Sequence, residues 1–180
     1  MRINNFKQLN EEQIQTIETQ LRIKLPEDYR KFLKEVGGGV VEKDASNRIR
    51  IHGLGGDIVL DVLYGTDLEH EKASITFWMK RFEGELLEKA VLIGDDLLQG
   101  FLVMICDGED KGIYYWDDSY RFASSCDENN MYWISDSFDG LLRLVAGKNE
   151  LIRKKGAMFL RNCTLPWNTE KRIGQIRWIC

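Results

Sequence analysis

A change of hydrophobic period at three consecutive glycines constrains the fold of this chain more than any other feature. Before the glycines, residues 25–36 carry apolar side chains at the i, i+3, i+4 and i+7 spacing of an amphipathic helix. After Gly37, Gly38 and Gly39, apolar and polar residues alternate over residues 48–52, as in a half-buried strand. Glycine accepts the left-handed backbone that ends a helix, so the glycines are a structural boundary. The sequence therefore predicts separate helical and strand regions, which is an α+β fold.

The first part of the chain predicts two helices with well-defined starts. Asn10 can cap the first helix, and Gln13 can reach back to complete a capping box. Ile14 and Ile17 then fall on one face of that helix. Pro26 suits the first turn of the second helix, where a missing N–H costs nothing. Both helices are therefore amphipathic elements that need a surface to pack against.

Short apolar runs further along the chain predict the strands of one sheet. Residues 58–60 and 90–93 are short strands, and residues 101–106 are an unbroken apolar run, typical of a central strand covered on both faces. Turn residues at 107–112 predict a hairpin into the aromatic strand 113–116. We therefore expect a single α+β domain with a mostly antiparallel central sheet flanked by N-terminal and C-terminal helices.

Two further helices and a C-terminal extension complete the prediction. A third helix is expected over residues 67–82, with less regular apolar spacing than the first two. Ser135 or Asp136 can cap a fourth helix, which carries apolar residues and ends before a glycine. Residues 1–146 are expected to form the domain, and residues 147–180 a basic C-terminal extension packed on it. The extension is too apolar to remain separate from the core.

The formal net charge of −4 conceals a strong asymmetry along the chain. Residues 94–139 carry eleven Asp or Glu against only Lys111 and Arg121, a net charge of −9, whereas residues 140–180 carry a net charge of +7. An acidic region repels the phosphates of nucleic acids and attracts a basic partner. The basic end either covers the acidic region within the fold or forms its own contact surface. The sequence favours neither.

No residue pattern in the chain predicts catalysis, a cofactor or a metal site. His52 and His70 do not have the spacing of metal-binding or catalytic pairs. The four cysteines contain no C-x-x-C pair and have no histidine beside them, so we expect reduced thiols, with Cys106 in the core. The chain has no secretory signal and no run near the ~20 apolar residues that a membrane span needs. We therefore expect a cytoplasmic, non-enzymatic binding protein.

Seven residues of the acidic region are our candidate partner-binding residues: Asp95, Asp96, Glu109, Asp110, Trp116, Asp117 and Asp118. Because aspartate is favoured in turns, the alternative interpretation of the acidic pairs is solvated turns. A divalent cation site is a third interpretation, but Lys111 would interrupt the ligand spacing of a calcium loop starting at Asp107. The aromatic residues of the strands are either core or interface, and Trp116, beside two aspartates, is the best single interface candidate.

Four blocks of residues occur in an order that matches a known family. They are Ile17-Glu18 through Leu25-Pro26-x-x-Tyr29-Arg30-x-Phe32-Leu33, Ile93-Gly94-Asp95-Asp96 with Gly100, Ile113-Tyr114-Tyr115-Trp116-Asp117, and Ser137-Phe138-Asp139-Gly140-Leu141-Leu142. In this order and spacing they resemble the SUKH superfamily, which includes yeast Smi/Knr-type regulators of glucan synthesis and many bacterial immunity proteins. The resemblance spans roughly residues 10 to 146.

The resemblance implies an α+β fold and binding rather than catalysis. Bacterial members typically bind a cognate toxin in the cytosol, often a nuclease, and block it by direct contact. The resemblance therefore implies an immunity protein with a basic protein toxin as partner, without nucleic acid or membrane partners, and we expect a monomer. The alternative is a protein-binding regulatory scaffold linked to cell-wall or glucan synthesis, as in the yeast branch.

Overall fold

The computed structural model describes residues 2–43, 47–66 and 71–145. Its main feature is an antiparallel sheet of eight strands: β1 (Ile3–Asn5), β2 (Gly39–Val41), β3 (Arg48–Arg50), β4 (Asp57–Leu63), β5 (Ala90–Asp96), β6 (Phe101–Ile105), β7 (Gly112–Trp116) and β8 (Met131–Ser135). The helices are α1 (Glu11–Leu21), α2 (Glu27–Glu35), α3 (Ile75–Arg81) and α4 (138–145). The predicted α+β fold with an antiparallel central sheet is confirmed.

The strand order is β1-β2-β4-β5-β6-β7-β8, and β3 also pairs with β4. Every residue of β6 and β7 is buried, as the unbroken apolar run predicted for β6. The predicted hairpin joins these two strands, with Phe101 opposite Trp116 and Ile105 opposite Gly112. β6 lies beside the middle strand β5 rather than in the middle itself. β1 and β2 were not predicted from the sequence.

The N-terminal helices form as predicted because their ends are specified locally. Asn10 and Gln13 make the reciprocal capping box at the start of α1, with both hydrogen bonds at 2.9 Å. Pro26 is the residue before the first turn of α2, and Gly37 ends the helix with a left-handed φ of +79°. These local signals define where α1 begins and where α2 begins and ends.

The residues that carried the family resemblance in the N-terminal block build the contact between these helices. Arg30 of α2 pairs with Glu18 of α1 at 2.6 Å and also with Glu11. The second oxygen of Glu18 accepts a hydrogen bond of 2.8 Å from the Leu25 backbone N–H. Tyr29 is fully buried, and its hydroxyl donates to the Tyr64 backbone carbonyl at 3.0 Å. This block is therefore structural.

The third and fourth helices differ in detail from the prediction. α3 begins at Ile75 after a 3₁₀ turn at Glu71–Ala73, so the helix predicted over 67–82 is shorter, and residues 67–70 lie outside the described residues. Neither Ser135 nor Asp136 caps α4. The cap is Ser137, whose hydroxyl accepts from the Gly140 N–H at 3.1 Å, while Ser135 donates to the Ser137 carbonyl. The predicted packing of residues 147–180 also lies outside the described residues.

The sheet has two ends that matter for function. We call the end at which Phe101 faces Trp116 the loop end; it carries the hairpin 97–100 and the loop 117–130. We call the opposite end, where Ile105 faces Gly112, the hairpin end; it carries the turn 106–111. Five strand residues at ~3.3 Å per residue separate the two ends by roughly 13 Å.

Candidate functional site

The structure divides the seven predicted site residues between the two ends of the sheet. Glu109 and Asp110 lie in the turn of the hairpin end and are exposed. The other five lie at the loop end: Asp95, Asp96, Trp116, Asp117 and Asp118. The seven residues therefore do not form one continuous patch. Asp96, Trp116 and Asp117 are buried.

Asp96 holds the hairpin between β5 and β6. One carboxylate oxygen accepts hydrogen bonds from the backbone N–H groups of Leu98 at 3.1 Å and Gly100 at 2.8 Å. Burial raises the pKa of Asp96, and these two N–H groups and the Tyr115 hydroxyl act in the opposite direction. A Cβ at Gly100 would overlap the Tyr115 hydroxyl, so only glycine fits here. The hairpin tip is thus held from inside by a carboxylate.

Asp117 has the same function for the loop between β7 and β8. Its two oxygens accept hydrogen bonds from the backbone N–H groups of Arg121 and Phe122, both at 3.0 Å. Its own carbonyl accepts from the Tyr120 N–H at 3.2 Å, which closes a tight turn. A buried carboxylate that accepts backbone hydrogen bonds is a structural group, because losing it would leave donors unsatisfied.

Trp116 is part of the core. Its ring lies 5.7 Å from the ring of Phe101 and 5.1 Å from that of Phe82, which follows α3. Phe101 in turn contacts Trp78 of α3 at 5.1 Å between ring centroids. Trp116 is 8% exposed because these residues cover its face of the sheet. It belongs to the core alternative that the sequence left open for the aromatic residues.

Asp95 lies on the opposite face of β5 from Asp96 and is half-buried. Its carboxylate accepts from the Tyr64 hydroxyl at 2.9 Å and from the Val62 N–H at 3.1 Å. Burial raises the pKa of Asp95 to about 6, with the nearby carboxylate of Asp61 acting in the same direction. Asp95 therefore carries only part of its negative charge near pH 6.

Asp118 lies inside the turn that Asp117 closes, and like Asp95 it is half-buried. Partial burial raises its pKa, and the charges of Glu85 and Asp117 raise it further. Asp118 and Glu85 therefore lie close enough to repel each other.

The hairpin end has exposed acids and a shallow cleft. Asp107 pairs with Lys89 at 2.9 Å. A cleft of about 290 Å³ lies beside the turn, between the starts of α2 and α4, and Lys111 is among its lining residues. Asp28 lines it too, but its carboxylate accepts the N–H groups of Tyr29 and Asp139 at 2.9 and 3.1 Å. Asp28 therefore accepts backbone N–H groups at the N-terminal ends of both α2 and α4.

The loop end also exposes apolar side chains that the sequence analysis did not select. Leu97 and Leu98 at the hairpin tip are each 41% exposed, and Tyr120 in the next loop is 46% exposed. One sequence signal could have found the leucines. Two consecutive leucines stand in a turn between an aspartate pair and Gln99-Gly100, and hairpin turns are normally polar because they face water.

Cys106 is a buried thiol in the described part of the chain. Burial raises the pKa of the Cys106 thiol to about 12, so it resists ionisation at neutral pH. Within residues 2–43, 47–66 and 71–145, no group of three or more His, Cys, Asp or Glu side chains is placed to hold a metal ion. In the same residues, no helix has the length and apolar character needed to cross a membrane.

The comparison with protein families agrees with the fold. The model of the SMI1 / KNR4 family (SUKH-1) matches residues 8–144, which includes α1 and nearly all of α4. No curated protein matched the chain. The family match begins just before the capping box and covers the whole of the sheet from β2 to β8. Since it extends over most of the sequence, this chain belongs to the SMI1 / KNR4 family (SUKH-1).

Proposed function

We propose that this chain is a non-enzymatic immunity protein that binds and neutralises a basic protein toxin, such as a nuclease, in the cytoplasm. The observation that carries the proposal is the excess of negative charge over residues 94–139, a net −9. Seven of its eleven acids are exposed: Asp107, Glu109, Asp110, Asp127, Glu128, Asp136 and Asp139. A nuclease presents positive charge where phosphate lies, so an acidic surface suits it and speeds encounter.

Membership of the family supports this proposal, because SUKH proteins of bacteria are associated with immunity to toxins. The three most distinctive acids have roles inside the fold. Asp96 and Asp117 accept backbone hydrogen bonds, and Asp95 accepts the Tyr64 hydroxyl, so they serve the fold. In this proposal the partner contacts the exposed acids and the two turns that Asp96 and Asp117 hold in place.

The test uses a panel of purified, catalytically inactivated nuclease toxin domains that carry net positive charge. We expect at least one domain to bind the full chain, with affinity that falls as salt rises from 0.05 to 0.5 M because the contact is electrostatic. Co-expression with the active form of that domain should restore bacterial growth. Absence of binding and rescue across the panel would contradict the proposal, and recovery of cell-wall synthesis components in its place would favour the scaffold alternative.

Charge-reversal variants identify which acids take part. Asp118→Lys tests the loop end, and Glu109→Lys with Asp110→Lys tests the hairpin end. All three side chains reach solvent, so the fold should tolerate each change. Reversal at the end that contacts the toxin should weaken binding by roughly tenfold or more, and reversal at the other end by much less. If both variants bind the toxin as tightly as the wild type does, neither end is the contact.

A further inference from the structure

The loop end concentrates exposed apolar surface. In the part of the chain that the structure describes, six large apolar side chains are exposed: Val40, Leu97, Leu98, Tyr120, Trp133 and Leu144. Three of the six belong to the hairpin 97–100 and the loop 117–130. Scattered exposed leucines are ordinary on protein surfaces, but two consecutive ones at a hairpin tip are not explained by core packing.

These side chains stand on two turns that lie next to each other. β6 pairs with β7 so that Phe101, just after the hairpin, is opposite Trp116, just before the loop. The Tyr115 hydroxyl, which belongs to the strand leading into the loop, fills the space beside Gly100 of the hairpin. Leu97 and Leu98 therefore share one end of the sheet with Tyr120.

The fold holds both turns in place before any partner arrives. Asp96 accepts the N–H groups of the hairpin, and Asp117 accepts those of the loop. Each turn also contains a non-glycine residue in the left-handed region, Gln99 at φ +69° and Tyr120 at φ +49°. Ordering loops on binding costs free energy, so turns that are already fixed present their side chains at lower cost.

Acidic side chains border this apolar surface on the side of Tyr120. Asp118 lies in the loop beside Tyr120, and the charge of Glu85 acts on it. Hydrogen bonding to the Asp127 carboxylate raises the pKa of the Tyr120 hydroxyl, which places Asp127 against that ring as well. Apolar anchors inside a polar rim are the usual arrangement of an interface hot spot. The rim here is acidic, so the matching partner surface is basic.

We infer that the toxin docks on Leu97, Leu98 and Tyr120. The surface of the toxin then carries an apolar pocket for these side chains, and Lys or Arg side chains at the border of that pocket meet Asp118 and Glu85. The inference rests on the proposed function and adds to it the contact surface and the chemistry of the partner. Asp96 and Asp117 are positioning residues in this scheme, since they hold the anchors and do not touch the partner.

The test uses a phage-displayed library of random peptides selected against the immobilised full chain. Selected peptides should combine Lys or Arg with large apolar residues, and their binding should weaken with salt. Against the double variant Leu97→Ser with Leu98→Ser, their affinity should fall by roughly 30-fold or more, which is the scale of a hot spot. The matched control is Leu144→Ser, which changes an equally exposed leucine on α4 and should leave affinity unchanged.

The outcomes separate this inference from the proposed function. Peptides that bind the double variant as well as the wild type, peptides without positive charge, or a selection without binders would each overturn the inference. If a toxin domain of the panel is neutralised equally by the double variant, the docking surface is wrong and the function stands. If peptides dock at the two leucines but no toxin domain is neutralised, the surface stands and the function is wrong. Thermal melting checks that both variants are folded.

Discussion

The loop end and the hairpin end of the sheet are both acidic, but their carboxylates have different roles. At the loop end, Asp96 and Asp117 are buried and hold the backbone of two turns. At the hairpin end, Glu109 and Asp110 are exposed, and Asp107 forms a surface pair with Lys89. The same residue types thus supply internal structure at one end and surface charge at the other.

This difference shows that a count of charges along the chain does not locate a binding surface. The net charge of residues 94–139 correctly describes an acidic region, but it includes carboxylates that are buried in the fold. At the loop end, the buried acids hold the two turns that expose Leu97, Leu98 and Tyr120. Three experiments test this difference between the two ends.

The largest expected contrast is between two cysteines. Cys106 follows β6 at the hairpin end and is buried, whereas Cys126 lies in the loop 117–130 and is exposed. Burial raises the pKa of Cys106 to about 12, against ~8.5 for an ordinary thiol, which lowers its reactive thiolate fraction by about 10³ at neutral pH. Iodoacetamide should therefore modify Cys126 at least about 10³ times faster than Cys106 in the folded protein.

Peptide mapping by mass spectrometry measures both rates in one sample. Unfolding in guanidinium should bring the two rates close together, because the contrast comes from the fold and not from the neighbouring sequence. Similar rates for Cys106 and Cys126 without denaturant would contradict the buried position of Cys106 beside the hairpin end.

The second contrast concerns stability. Asp117→Ala removes the acceptor for two backbone N–H groups at the loop end, so we expect a loss of about 2–4 kcal/mol in the free energy of unfolding. Asp110→Ala is the matched control at the hairpin end, where the exposed carboxylate should contribute less than about 0.5 kcal/mol. Urea unfolding measures both. Equal losses of stability in the two variants would mean that the Asp117 carboxylate contributes no more to the free energy of unfolding than the exposed Asp110 carboxylate does.

The sequence predicted the elements whose signals are local. The capping box of Asn10 and Gln13, the proline before α2 and the apolar run of β6 each specify an element within a few residues. β1 (Ile-Asn-Asn) and β2 (Gly-Val-Val) were missed because neither alternates apolar and polar residues, whereas the equally short β3 (Arg-Ile-Arg) does. They form by pairing with each other across the chain, with Ile3 opposite Val41, and no local pattern records that contact.

The candidate site was harder to predict for the same reason. Burial of Asp117 depends on the loop that folds back over it, and burial of Trp116 depends on Phe82, which is 34 residues earlier in the chain. Neither contact has a signature around the residue itself. The exposed leucines at positions 97 and 98 did have one, because apolar residues in a hairpin turn are unusual.

The last contrast concerns how the stability contributed by each end changes with pH, and we expect the two ends to differ in the sign of that change. Asp95, at the loop end, has a pKa raised from 3.8 to about 6 by burial, and the groups that face it are the Tyr64 hydroxyl and the carboxylates of Asp61 and Asp96. The Asp95 carboxyl group therefore binds its proton more tightly in the folded state than in the unfolded state. The stabilising contribution of this group is fully present below pH 3.8 and is lost as the pH rises through about 6.

Asp95→Asn removes the ionisation and keeps an acceptor for the Val62 N–H. At pH 7 the variant should be more stable than the wild type by about 1–2 kcal/mol, and the difference should vanish near pH 3.5. Asp107→Asn at the hairpin end should act in the opposite sense, because Lys89 lowers the pKa of Asp107 and its contribution is lost as the pH falls. Unfolding curves from pH 3.5 to 7 measure both variants. A constant difference between Asp95→Asn and the wild type over that range would mean that the Asp95 carboxylate is as solvated as the acids of the hairpin end.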